Sequence, residues 1–232
     1  MVKIEGGTYI PLYGRDSLQI TITDFQMDVY PVTNQQYIEF VKKYPKWKRS
    51  NVKKLFADGN YLRDWKSDTL LNEDQSLKAP ITNVSWFAAK DYCECQGKRL
   101  PTLDEWEYVA MANKEMPDAR RLKDYNEFIL SWYEKPKTST NHIGSTFKNY
   151  WKVYDLHGLV WEWTYDFNSV LISGESRKDV DDDSNLFCGS AAVGTTDLMN
   201  YAAFMRYAIR GSLNANYTMK NLGFRCVKDE NN

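Results

Sequence analysis

Histidine is almost missing from this sequence: 232 residues include only His142 and His157. So few imidazoles make most zinc and iron sites hard to assemble. Cysteine is sparse as well. Cys93, Cys95, Cys188 and Cys226 contain no C-x-x-C pair, and the lone C-x-C of 93 and 95 is a weak metal signal. No run of about 18 apolar residues occurs, so nothing reads as a membrane-spanning helix. An excess of one charge is lacking too. Thirty Lys and Arg face 31 Asp and Glu, a net charge of -1. That balance leaves no electrostatic footprint for nucleic acid or an anionic membrane. The opening "MVKIEGGTYI" has no basic start followed by an apolar stretch, so it is not a signal peptide. It equally suits a trimmed mature chain with an added Met. Internal repeats, heptads and low-complexity tracts are absent.

Aromatic residues, in contrast, are abundant. They make up 15% of the chain, with 8 Trp and 16 Tyr, and hydrophobic residues reach 43%. Such a chain can fill a core with rings whose polar ends need partners, which suits a loop-rich fold. The length allows one large domain, and residues 1–232 read as a single one.

Local signals point to α+β architecture with few helices and many short strands. Residues 7–32 alternate and turn like short strands. Thr33 and Gln36 form a capping box for a helix with Tyr37, Phe40 and Val41 on its apolar stripe. Residues 43–80 read as a long loop with one short helix. Ser85 is a good N-cap for a helix to about Gln96, closed by Gly97. Thr102 and Glu105 form a second capping box, and Trp106 and Val109 share one side of the helix that follows. After about residue 114 the chain loosens. Strands are expected near 142–146, 159–165, 187–192, 205–211 and 223–227. Between them, Asp179, Asp181 and Asp183 echo the spacing of a calcium loop, but the glycine such a loop requires is Ser184.

The stretch "VWEWTYD" at 160–166 poses the sharpest chemical question. In an extended strand Trp161 and Trp163 share one face, and Glu162 and Thr164 the other. A carboxylate beside such rings needs a cation or several donors. The residues alone leave two readings, an Arg or Lys partner or a metal ion.

Several motifs in order, "YPVTNQQYIEFV", "PITNVSWFAAKDYCECQGKRLPTLDEWEYVA", "DLHGLVWEWTYD" and "NLGFRCV", resemble the formylglycine-generating enzyme family, also called sulfatase-modifying-factor domains. The resemblance spans nearly the whole chain. It implies a variant of the C-type lectin fold, and it leaves function open because the family holds copper oxidases, iron-dependent sulfoxide synthases, maturation proteins and ligand-binding proteins. It also implies a structural calcium ion held by the side chains of Asp155 and Glu162 and the carbonyls of Gly158 and Val160, a set of hard oxygens suited to that ion. The alternative is a carboxylate pair satisfied by backbone donors and an Arg. By the same resemblance Cys93 bridges Cys226, which implies export to the periplasm or cell surface. Cys95 and Cys188 stay unpaired, since a second family bridge would need cysteines near Ala110 and Tyr207. Arg99 is expected to pair with a carboxylate such as Glu105 or Glu107 and pin the turn.

The resemblance places a pocket at Trp161 and Ser190, with Cys188 nearby. Copper enzymes of the family hold copper(I) with two thiolates, a soft donor set that selects this ion. The matching positions here are Val193 and about Ala202, and neither is a thiol. Met199 and Met205 are more simply packing residues. Iron-dependent relatives take histidines from a separate N-terminal bundle, which this chain lacks. Two functions follow as expectations. One is an exported binding or maturation module without formylglycine-generating activity, recognising a protein or peptide at the cleft near Ser190. The other is a divergent metal-dependent oxidoreductase using a different site.

Overall fold

The computed structural model describes residues 1–12, 18–133, 135, 138–168 and 198–230, excepting the side chains of 198–200. Its strands are short. β1 (Val2–Ile4), β4 (Phe25–Met27) and β9 (Val227–Asp229) form an antiparallel sheet with β4 in the middle. Val2 and Val227 both stand opposite Met27. β2 (Gly7–Tyr9) pairs with β3 (Ile20–Ile22), and β5 (Trp65–Ser67) with β6 (Leu70–Leu71), both antiparallel. β7 (Trp161–Glu162) runs parallel to β8 (Leu222–Gly223).

The helix starts follow the caps. α1 (Asn34–Lys43) opens on Thr33, whose side chain accepts from the Gln36 amide while Gln36 reaches back to the Thr33 amide. α2 (Trp86–Glu94) opens on Ser85, and Gly97 beyond it has φ +66°. α3 (Leu103–Ala110) opens on the Thr102–Glu105 box. Between α1 and α2 the chain is irregular, with a 3-10 turn at Pro45–Trp47 and the β5–β6 hairpin.

Two helices depart from the sequence expectation. α4 (Lys123–Tyr133) occupies a stretch read as loose, and α5 (Leu198–Gly211) covers the strand expected at 205–211. In α5 the inward residues Ala202, Arg206 and Arg210 recur every four positions, which is a helical period. The β-forming Tyr and Ile between them masked it. No strand forms at 142–146. The strand expected at 187–192 and the acidic loop at 179–184 lie outside the described residues.

The core falls into three clusters. One joins α1 and α2 to Trp163, Phe224 and the loop aromatics. A second packs the central sheet against Trp106 and Val109 of α3. The third joins α4 to α5 through Tyr125, Ile129, Phe147 and Ala202. Each fully buried large side chain contributes about 1.5–3 kcal/mol relative to exposure. A disulfide ties Cys93 in the last turn of α2 to Cys226 just before β9, with 5.6 Å between Cα atoms. Arg99 grips Glu105 at 2.6 and 2.7 Å and also Asp229, which pins the turn between α2 and α3. No helix among the described residues is long and apolar enough to cross a membrane.

Candidate functional site

The alternation expected of "WEW" holds. Trp163 is fully buried, donates its indole N–H to the Val84 carbonyl at 2.9 Å, and joins the cluster of α1 and α2. Trp161 packs against the same cluster at its edge. Glu162 points the other way. Its carboxylate takes Arg225 Nε at 2.8 and 3.0 Å, Arg225 Nη2 at 2.8 Å and the Trp106 indole N–H at 2.8 Å. Both charged side chains have no solvent exposure. The remaining Arg225 donors go to the carbonyls of Asp28, Val29 and Tyr154. This buried pair is therefore fully hydrogen-bonded, the condition under which burial is tolerable.

The turn before β7 is built on Asp155 and Gly158, with φ of +61° and +92°. Asp tolerates the left-handed region and Gly favours it. The Asp155 carboxylate accepts the Gly144 amide, the Thr146 amide at 3.0 Å and the Thr146 hydroxyl at 2.9 Å. Thr138 donates to the Leu159 carbonyl at 2.7 Å. A calcium ion fits these residues poorly. A divalent ion on Glu162 would meet the Arg225 guanidinium that already covers both oxygens, and Asp155 already accepts three donors. Among the described residues no cluster of three His, Cys, Asp or Glu side chains could hold a metal. The geometry matches the alternative of backbone donors and an arginine.

A cleft of about 700 Å³, counting its open mouth, lies between α3, α4 and α5. Glu107 stands at its floor between two arginines of α5. Arg206 gives it Nε at 2.9 and 3.1 Å and Nη2 at 2.8 Å, and Arg210 gives it Nη1 at 2.6 Å. Burial would raise the Glu107 carboxyl, but the two guanidinia outweigh it and hold the group at about 2. Arg206 also donates Nη1 to the Tyr133 hydroxyl at 3.2 Å, and the Tyr133 ring packs on Trp161 at 5.3 Å between centroids. Both guanidinia stand over Trp106, at 5.9 and 4.9 Å from its ring. His157 lines the cleft, with Nε2 at 2.9 Å from the Ala110 carbonyl and a buried Nδ1 that has no partner among the described residues. Burial, reinforced by Arg206, pushes this imidazole down to about 4. His142 is exposed and does not join it.

Of the pocket residues expected from the sequence, Trp161 sits beside this arrangement through Tyr133. Ser190, Cys188 and Val193 lie outside the described residues. Ala202 is 4% exposed on α5 and lines the cleft. Ala110 and Tyr207, where a second bridge would need cysteines, line the same cleft. Sequence reading missed the Glu107–Arg206–Arg210 cluster. Its only signal was the i,i+4 arginine pair, hidden once 205–211 was read as strand.

The family model of the sulfatase-modifying factor enzyme 1-like domain matches residues 1–230, and the chain belongs to that family. It is similar to the inactive C-alpha-formylglycine-generating enzyme 2 of Bos taurus, 27% identical over 287 residues, covering 98% of this chain and 87% of that protein. It also resembles the formylglycine-generating enzyme of Bos taurus, 31% identical over 173 residues that span 65% of this chain and 44% of that protein. Among solved structures, PvdO from Pseudomonas aeruginosa superposes with a TM-score of 0.54 at 16% identity, covering 98% of this chain and 93% of that one. CarF does so at 0.53 and 17%, covering 98% and 97%. Identities this low speak to fold alone, the formylglycine-generating-enzyme variant of the C-type lectin fold.

Proposed function

We propose that this chain is a family member without formylglycine-generating activity that works by binding, as an exported accessory or maturation module. The observation that carries the reading is Ala202. At about the position matched to the second copper thiolate stands an alkyl side chain, buried on a helix and packed into the cluster of Tyr125, Ile129 and Phe147. An alkyl group binds no copper(I), and the first matched position is Val193. Similarity to a relative named inactive supports the reading, though a relative named for the activity is also similar. The Cys93–Cys226 disulfide supports export to the periplasm or cell surface, where such bonds persist. The expected partner is a protein or peptide at the pocket that Trp161 and Ser190 would share. Calcium is not carried into this reading, because Arg225 already supplies the positive charge beside Glu162.

The test is incubation of the protein with copper(I), oxygen and a Cys-x-Pro-x-Arg peptide. Mass spectrometry should find the peptide cysteine unchanged. Aldehyde above a no-protein control would overturn the reading and favour the oxidoreductase.

A further inference from the structure

The charge balance of the whole chain conceals an uneven distribution. Residues 42–54, "KKYPKWKRSNVKK", carry six Lys and one Arg, and no Asp or Glu follows before Asp58. All of these cations but the half-buried Lys48 are exposed. Three carboxylates from outside the run meet it. Glu39 pairs with Lys42 at 2.8 Å and Asp91 with Lys46 at 3.0 Å. Asp68 accepts the Ser50 amide and hydroxyl, with Lys48 and Arg49 nearby. Lys43, Lys53 and Lys54 make no ion pair among the described residues. Salt confines the field of such a patch to about 10 Å at 0.1 M, so a local excess can act although the molecule as a whole is neutral.

The same run leads into an exposed apolar step. Leu55 is 73% exposed, more than any other large hydrophobic side chain among the described residues, and Phe56 beside it is 37% exposed. The backbone fixes both. The Lys53 carbonyl accepts the amides of Phe56 at 2.8 Å and Ala57 at 3.2 Å, which closes a turn with Lys54 and Leu55 at its tip. Ala57 is buried, and Asp58 accepts the Thr218 amide at 3.1 Å, which anchors the base of the turn. The Phe56 ring rests on Trp47 and Phe87, with 6.3 and 5.4 Å between centroids. A turn held this way has little ordering entropy left to lose on docking.

A projecting Leu and Phe flanked by lysines suits a surface with negative charge outside and hydrocarbon beneath. Lysine is a hydrated point charge that matches a diffuse anionic layer, whereas discrete phosphates and carboxylates are best held by arginine forks. The one arginine of the run, Arg49, gives Nη1 to the Trp65 carbonyl at 3.0 Å. We propose that residues 42–56 dock this protein on an anionic lipid bilayer, with Leu55 and Phe56 at headgroup level and the lysines against the lipid phosphates. None of these residues lines the cleft between α3, α4 and α5. The proposal does not rest on the copper reading, so aldehyde formation in that assay would leave it standing.

Vesicle flotation of the whole chain tests it. Vesicles of phosphatidylcholine and phosphatidylglycerol in equal parts should carry the protein, phosphatidylcholine alone should not, and added salt should weaken the binding. Lys53→Gln with Lys54→Gln should lose about thirtyfold in affinity for the anionic vesicles. Leu55→Ser, which keeps every charge, should lose about tenfold or more. All three side chains are exposed, so the melting temperature of each variant should stay that of the parent. Failure to bind anionic vesicles, equal binding to neutral ones, or full binding by the double Lys variant would each overturn the proposal. Undiminished vesicle binding by Leu55→Ser would overturn it too, because a contact that reads charge alone fits an acidic protein rather than a bilayer.

Discussion

Arg225 and Glu162 meet edge to edge with neither side chain reaching solvent, three hydrogen bonds between them and a fourth from Trp106 to the same carboxylate. The pair joins β7 to the segment between β8 and β9, so one ionic contact fastens two distant parts of the chain. Removing one member leaves the other charged and buried. Arg225→Met should destabilise by about 3–5 kcal/mol, as should Glu162→Gln to a smaller degree. Chemical denaturation measures both. Chelator added to the parent protein should leave its melting temperature unchanged, and a drop on chelation would restore calcium at this turn.

The disulfide closes a loop of 133 residues. In the chain-entropy model such a loop contributes about 5 kcal/mol, an upper figure. Reduction, or Cys93→Ala with Cys226→Ala, should lower stability by several kcal/mol. Peptide mapping without reductant should recover the 93–226 bridge and a free thiol at Cys95, which the structure leaves unpaired and exposed. Finding 93 and 226 both free in air-exposed protein would remove the argument for export.

Glu107 should write itself into the acid limb of stability. Its folded carboxyl sits at about 2 against an ordinary value of 4.5. Above 4.5 the group is ionised in both states and its stabilisation is complete. As pH falls from 4.5 to 2 the unfolded chain takes up a proton that the folded chain refuses, and stability is lost. The linkage corresponds to roughly 3 kcal/mol. Glu107→Gln should be less stable at neutral pH and should flatten the curve between pH 4.5 and 2. A variant curve parallel to the parent across that window would contradict the assignment.

Gly158 offers a backbone test. A methyl group there would lie 2.3 Å from Cδ2 of the Trp132 ring, and its φ of +92° suits only glycine. Gly158→Ala should cost roughly 2–4 kcal/mol through clash and strain together. Thermal melting would show it, and a neutral result would mean that Trp132 does not cover the turn.

Much of this was legible in the residues because the signals are local. Thr33, Ser85 and Thr102 each mark a helix start through hydrogen bonds to residues three positions away. The two faces of "WEW" follow from strand alternation alone. What stayed hidden depends on distance along the chain. Glu162 shows that a buried carboxylate needs partners, but nothing nearby says that they come from Arg225 and Trp106. Glu107 looked like a candidate for Arg99, and only the packing of α5 on α3 gives it to Arg206 and Arg210. Helix α4 carries Tyr125 and Ile129 one turn apart, a pair too short to outweigh its polar neighbours until α5 covers it.

The central sheet has one more consequence. β1 and β9 flank β4, and Lys3 reaches Glu230 at 2.9 Å across them. The polypeptide therefore enters and leaves this fold at a single spot on its surface. A unit with that geometry can be spliced into a loop of a larger host, or have its ends joined and be reopened elsewhere, without unthreading its interior.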